Sequence, residues 1–420
     1  MKENIKSVVV LTAICLVVAA LLAVTNFYTA PIIEEHKANA ANESLTIVMP
    51  EAKGFEEFVL PEGSPATVKN LYKETSGLGY VAILGTTSQY SSGEMGITVG
   101  FTADGKISGI SLTSYMESKD FGADYPETYI GQDSALGGVD TVAGVTYSST
   151  AFKNAISDAF AVLVENNLVA EGQKSEEQLI GEVMPLALPG CTNALNNCVV
   201  DPVEGVSAPV TAAYKAKNGS GYIFVVSGSN GTVVCGINAF GEAKCLDLEG
   251  NDVTDSEADA VAAAKAAFAP LATENLESNL ATAQRAVDEG VEVVPVEATG
   301  SFSCVTAAFT AEVEGETQYI IITQPLGYGD EPMKMLHVIN ANGEVVTFKT
   351  LSELILHGEY YSEHQLTDEG AYREQFLGLT PDTYSDDMTL VAGATMTSNA
   401  VSSSFNAAFE VFNSVKGAAN

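Results

Sequence analysis

Apolar and polar positions alternate, with breaks at glycine, in three separate regions of the chain. An aromatic-bearing extended run comes first each time: Val68 to Leu84 with Tyr72 and Tyr80, Val210 to Val226 with Tyr214 and Tyr222, and Val305 to Thr323 with Phe309 and Tyr319. A second alternating stretch then folds about a glycine: Gly96 to Leu112 around Asp104-Gly105, Thr232 to Leu248 around Gly241, and Lys334 to Leu351 around Asn342-Gly343. Period-two alternation interrupted by Asp-Gly or Asn-Gly predicts antiparallel hairpins, because these residues accept the positive φ of tight turns. A helical segment leads into each unit, at Ala38 to Met49, Ser175 to Met184 and Ser256 to Leu271. The first two end in Met-Pro, and proline predicts a stop there because it disfavours helix in the residue before it. Amphipathic alanine-rich segments, Phe152 to Leu163 and Val401 to Phe412, predict helices closing the first and third units. The second unit passes from Glu249-Gly250 straight into the next helix. The predicted class is α+β, built of repeated units with antiparallel sheets.

Ahead of the two closing helices lie nearly identical stretches, Val142-Ala143-Gly144-Val145-Thr146-Tyr147-Ser148-Ser149 and Val391-Ala392-Gly393-Ala394-Thr395-Met396-Thr397-Ser398. A small-Gly-small-Thr turn at a helix start suits an anion. Glycine lets the backbone approach closely, the first-turn N–H groups have no intrahelical acceptor, and the helix dipole favours negative charge there. A hydroxyl residue capping an ordinary helix would give a similar pattern once. Its repetition late in two similar units favours a binding site. Further matches precede both copies: Glu117 with Gly122, Glu353 with Gly358, then Tyr129-Ile130-Gly131 and Phe376-Leu377-Gly378.

Both stretches resemble the flavinylation motif of FMN-binding domains, a pattern of roughly Asp-x-x-Ser/Thr-Gly-Ala-Thr-x-Thr/Ser. Such domains occur in the G subunit of Rnf-type electron-transport complexes and in the C subunit of the sodium-translocating NADH:quinone oxidoreductase. The resemblance implies covalent FMN on the motif threonine, joined through a phosphoester by a dedicated flavin transferase. The acceptors are then Thr146 and Thr395, with Gly144 and Gly393 in the turns and Ser148 and Thr397 as phosphate donors or caps. Glu117 and Glu353 stand where the family places a glutamate beside the flavin ring. Asp140 occupies the motif aspartate in the first copy, whereas the second has Thr389 there, with Asp386 and Asp387 displaced. Both copies carry alanine where the family has Ser or Thr, and Val145 replaces the usual alanine in the first. The middle unit lacks the threonine motif and is expected to hold no flavin.

The run Ser7 to Val24 is nearly unbroken apolar sequence, preceded by Lys2 and Lys6 and followed by Phe27 and Tyr28. It is long enough to cross a bilayer, and the lysines favour a cytoplasmic N-terminus with the bulk of the chain outside. A cleaved signal peptide competes with this reading, but Pro31 disfavours cutting after Ala30. The stretch Tyr28-Thr29-Ala30-Pro31-Ile32 also resembles the segment after the span of the Rnf G subunit. The expected organisation is an anchor over 1–30, a first FMN-binding domain over 31–170, a truncated repeat over 171–255 and a second FMN-binding domain over 256–420.

Composition narrows the partners. A formal charge of −35 with only 19 basic residues argues against nucleic acid, whose phosphates need a Lys/Arg footprint. The four histidines show no metal-ligand spacing, and no cysteine pair shows the C-x-x-C of a zinc or iron–sulfur site. Cys235 and Cys245 lie symmetrically about the turn at Asn238 to Gly241 and read equally as a cross-strand bridge or as small buried hydrophobes. The resemblance then implies a membrane-anchored redox subunit, working with other membrane subunits of an Rnf-like complex that passes electrons between ferredoxin and NAD and exports sodium ions or protons. It is a redox subunit of a translocase more than a stand-alone enzyme. The tandem form leaves room for an extracytoplasmic flavoprotein of extracellular electron transfer, and the rival class is a flavin-free structural or binding module.

Overall fold

A computed structural model describes residues 44–88, 91, 93–117, 120–142, 144–192, 198–300, 302–327, 332–351, 371–385, 388–390 and 395–416. The apolar run at Ser7 to Val24 therefore lies outside the described residues, among which no helix is long and apolar enough to cross a membrane. The chain forms two compact bodies, Met1–Lys174 and Ser175–Asn420.

Three five-stranded antiparallel meanders make up the fold, one in the first body and two in the second. The first sheet holds β1 (Phe55–Phe58), β2 (Val68–Glu74), β3 (Gly79–Thr86), β4 (Met95–Thr102) and β5 (Ile107–Ser114). The second holds β6 (Val200–Pro202), β7 (Val210–Ala216), β8 (Gly221–Ser227), β9 (Thr232–Asn238) and β10 (Ala243–Leu246). The third holds β11 (Val293–Pro295), β12 (Val305–Val313), β13 (Glu316–Thr323), β14 (Met335–Asn340) and β15 (Val345–Thr350).

Each aromatic-bearing run expected as a single strand is two strands and a turn. Val68 to Leu84 bends at Gly77, Val210 to Val226 at Gly219, and Val305 to Thr323 at Gly315, all with positive φ. The alternation runs through these turns without a break, which hid them. The three short edge strands, β1, β6 and β11, carry too few residues for a period-two pattern to stand out. The repeat extends to fine detail: the register shifts at Val68/Asn70, Val210/Ala212 and Val305/Ala307, the same place in each meander.

Helices cover both faces of each sheet. Helical residues 44–48 (α1) press Leu45 and Val48 onto β3 at Val81. Helix α2 (Thr146–Glu165) packs Phe152, Ile156, Phe160 and Leu163 on the opposite face, with Phe101 edge-on to Phe160 at 4.8 Å. Burial of one such phenylalanine side chain contributes about 1.5–3 kcal/mol. In the second body, α3 (Glu176–Ala187) is fixed at its start by a capping box: the Ser175 hydroxyl accepts from the Gln178 N–H, and the Gln178 side chain accepts from the Ser175 N–H. Met184-Pro185 does not end this helix, contrary to the sequence expectation; Pro185 lies inside it. Ala187 and Leu188, just beyond, are buried against Ile223 and Val234, and that packing offsets the backbone hydrogen bond that proline cannot make.

Glycine permits this close helix–sheet contact. A Cβ on Gly100 would stand 2.7 Å from the Val48 carbonyl oxygen, and one on Gly236, its counterpart in the second sheet, 2.2 Å from that of Ala187. Helix α4 (Ala258–Ala283) serves two sheets in succession: Ala260, Ala264 and Phe268 pack on the second, and Ala283 on the third. The middle segment thus has a full meander with a helix on each face. It lacks only the long connection between the fifth strand and the closing helix. The short α5 (Ala371–Glu374) and the long α6 (Thr395–Lys416) complete the third unit, with Phe405 and Phe376 stacked at 4.2 Å. Cys235 and Cys245 face each other across β9 and β10 and form a disulfide.

Candidate functional site

The long connection from β5 to α2 assembles the site of the first body. It turns back at Gly131, whose N–H donates to the Ile107 carbonyl at 2.8 Å, while the Ile107 N–H donates to Gln132 at 2.9 Å. The third unit repeats this pair at Gly378 and Val345, each bond 2.9 Å long, with Leu379 in place of Gln132. The matched triplets Tyr129-Ile130-Gly131 and Phe376-Leu377-Gly378 therefore do one job. Each seats a fully buried ring under the closing helix and returns the chain to the fifth strand.

Around the first of these rings, Phe121, Tyr125, Tyr129 and Phe152 form an aromatic layer with centroid separations of 5.0, 5.4 and 5.2 Å between successive members. Burial raises the phenols of Tyr125 and Tyr129, whose hydroxyls lie 2.8 Å apart. The layer holds the approach to α2 rigidly from below.

Helix α2 starts at Thr146 itself, earlier than the amphipathic pattern from Phe152 indicates. Gly144 precedes it with φ +82°, a conformation that favours glycine, and open space lies where its Cβ would point. Val145, the N-cap residue, offers no side-chain acceptor, so the first-turn N–H groups are not capped from that position. Thr146 is half-buried and Asp140 exposed. The Lys153 ammonium donates to the Val139 carbonyl at 2.6 Å, which ties the Asp140 segment to α2.

Ser148 does not cap the helix. It is buried, and its hydroxyl donates to Glu117 Oε2 at 2.8 Å. Ser88, from the segment after β3, also donates to Glu117 Oε2. The other carboxylate oxygen, Oε1, is buried without a hydrogen-bond partner among the described residues. Burial raises the Tyr115 phenol, and a hydrogen bond with Ser148 opposes the shift. Ser149 instead ties the approach to the helix: its hydroxyl accepts from the Val142 N–H at 3.0 Å and donates to the Val145 carbonyl at 3.1 Å. Neither Ser88 nor Ser149 was apparent from the sequence. Ser149 belongs to the repeated motif and could have been found there, as Ser398 could, whereas no local pattern marks Ser88.

In the third unit, α6 likewise begins at Thr395. Glu353, Gly393, Asp386 and Asp387 lie outside the described residues. Thr397 is buried, and a Cβ on Gly327 would stand 2.9 Å from its hydroxyl oxygen. The segment after the third strand of the meander therefore reaches the site in both units, through the Ser88–Glu117 hydrogen bond in one and at Gly327 beside Thr397 in the other. Tyr372 donates to the Ser398 carbonyl at 2.8 Å and Tyr384 to the Ser402 carbonyl at 3.0 Å. Thr389, in the register of Asp140, makes paired hydrogen bonds with the Gln375 amide at 3.0 and 3.1 Å. Among the described residues no cluster of His, Cys, Asp and Glu could hold a metal ion.

Comparison with known proteins agrees with this geometry. Residues 91–161 match the family model of the FMN-binding domain, and residues 1–48 match the model of the RnfG N-terminal region. These matches support an FMN-binding, RnfG-like protein and point to a flavoprotein of Rnf-type electron transport. The first stretch contains Glu117, Asp140, Gly144, Thr146 and Ser148; Thr395 lies outside both. No curated protein matches the chain. The residues present fit FMN on one observation above all: Glu117 keeps a buried acceptor oxygen, without a hydrogen-bond partner among the described residues, beside the start of a twenty-residue helix whose N-cap residue makes no side-chain cap.

Proposed function

We propose that the chain is the membrane-anchored electron-transfer subunit of an Rnf-like ion-translocating complex, carrying FMN covalently on Thr146 and a second FMN on Thr395. The observation that carries this reading is the placement of Thr146 at the first position of α2, two residues after Gly144 and two residues before Ser148, which bonds Glu117. A bound flavin supplies the redox chemistry; the protein supplies position and electrostatics.

Each part of the site has a distinct task. The Thr146 hydroxyl is the phosphoryl acceptor, and the first-turn N–H groups with the helix dipole stabilise the phosphate charge. Gly144 keeps the backbone clear of it. Glu117, held by Ser88 and Ser148, offers Oε1 to a donor on the cofactor. The aromatic layer beneath excludes water and keeps the helix start in place. Attachment through the phosphate prevents dissociation, as an electron carrier outside the cytoplasm requires. Residues 1–30 would anchor the chain with its bulk extracytoplasmic, among the other membrane subunits and within reach of a flavin transferase.

Intact mass of the chain co-produced with a flavin transferase tests the assignment by counting FMN-phosphoryl additions. Two additions, with fluorescence of the denatured gel band, are expected. A chain of unmodified mass would reject covalent attachment.

A further inference from the structure

We propose that Cys191 and Cys198 form a thiol–disulfide redox site in the middle unit, with Cys198 as the entry thiol and Cys191 as the resolving thiol. Their sulfur atoms stand 2.8 Å apart, far inside the contact distance of unbonded sulfurs. A disulfide is about 2.05 Å long, so bonding needs only a sub-ångström approach. The backbone sets up this meeting from both sides. Thr192 and Cys198 form an antiparallel bridge, and the Val199 N–H donates to the Cys191 carbonyl at 3.4 Å.

The pair is specific to its unit. It spans the connection from α3 to the edge strand β6, whereas the corresponding connections of the other two sheets, residues 49–54 and 284–292, contain no cysteine. It also resolves the odd number of cysteines after the N-terminal apolar run. Cys235 and Cys245 are bonded to each other, and Cys304 is buried in the core of the third unit.

Exposure assigns the roles. Cys191 is fully buried among Val183, Ala187, Ile223 and Val234, beyond the reach of an outside oxidant. Cys198 is half-buried and reachable. The hydrogen bond with Cys191 lowers the Cys198 thiol and raises that of Cys191, which favours the thiolate at the exposed position. Cys198 loses its proton and attacks one sulfur of an external disulfide, such as oxidised glutathione. One external thiol leaves, taking up that proton, and a mixed disulfide remains. Cys191 then attacks the Cys198 sulfur and the second external thiol departs with the Cys191 proton. Two protein thiols are oxidised by two electrons, and one external disulfide is reduced to two thiols. Closing the bridge fastens the end of α3 to β6.

The test uses the full chain equilibrated without denaturant in glutathione buffers of graded redox ratio, then acid-quenched, alkylated and mapped by peptide mass. We expect a Cys191–Cys198 cross-linked peptide that replaces two alkylated peptides as the buffer becomes oxidising. Cys191→Ser should trap glutathione on Cys198, whereas Cys198→Ser should leave Cys191 free of it. The proposal is overturned if both thiols stay alkylated across the whole series, if either pairs with another cysteine, or if glutathione settles on Cys191. The wild-type map decides even if a variant fails to fold, and the readout is independent of flavin.

Discussion

The Ser148 hydroxyl donates to Glu117 Oε2 at 2.8 Å and thereby joins the first turn of α2 to the segment after β5. The other carboxylate oxygen of Glu117 is a buried acceptor with no hydrogen-bond partner among the described residues. The helix start and the carboxylate thus act as one unit, although they are far apart in the chain.

Thr146→Ala and Thr395→Ala should each remove one covalent FMN, because alanine has no hydroxyl to form the phosphoester. Gel fluorescence and intact mass read this out, and a double variant that keeps covalent flavin would refute both assignments. The two sites should also fill at different rates. Asp140 stands in the motif register of the first, where the second has Thr389 hydrogen-bonded to Gln375. A time course by peptide mass spectrometry should show Thr146 modified first.

Ser148→Ala should act on stability and only weakly on covalent loading. It deletes one donor to a partly buried carboxylate, a change worth about 1–3 kcal/mol. Thermal unfolding of the flavin-free chain should show the loss, while the mass of the co-produced chain should still include the Thr146 addition.

Glu74 should stabilise the first body in a pH-dependent way. Burial pushes its carboxyl up, but the N–H groups of Lys53, Leu78 and Ser76 and the Ser76 hydroxyl outweigh this and hold it at about 2. An unfolded glutamate titrates near 4.5. A depressed folded value means that the contribution is complete above about 4.5 and disappears as pH falls toward 2. Melting curves across that window should therefore fall less steeply for Glu74→Gln than for wild type, with a lower plateau at neutral pH. Parallel curves would exclude the effect.

His337 should give the third unit a second acid-sensitive window. It is fully buried between Phe348 and Phe405, with Nε2 2.9 Å from the Thr323 hydroxyl and Nδ1 without a partner among the described residues. Burial lowers it from 6.5 to about 3. The unfolded chain then takes up the proton first, so stability is full above about 6.5 and declines as pH falls toward 3. His337→Val, the residue at the same register in the first sheet (Val99), should flatten that decline. An unchanged slope between those values would count against it.

Much of this was readable from sequence because its signals are local. The Asp-Gly and Asn-Gly turns placed the β4–β5 and β14–β15 hairpins, since a positive φ has few residues to serve it. Val142–Ser149 and its second copy identified the starts of α2 and α6, since the chemistry of a helix start depends on a few neighbouring residues. The symmetric spacing of Cys235 and Cys245 allowed the bridge that the register of β9 and β10 produces. Other features needed contacts between distant segments. Pro185 stays within α3 because Ala187 and Leu188 pack on β8 and β9, and no helix rule contains that packing. Ser88 enters the site because β3 ends beside the path to α2, and Cys191 meets Cys198 because the backbone pairs at Thr192 and Cys198. Sequence determined the periodicity, the turns and the repeated motif ahead of the closing helices, each fixed by the conformational limits of a few adjacent residues. Tertiary structure decided which hydroxyl meets which carboxylate and which thiols meet each other, because burial and register act between residues that the chain brings together only on folding.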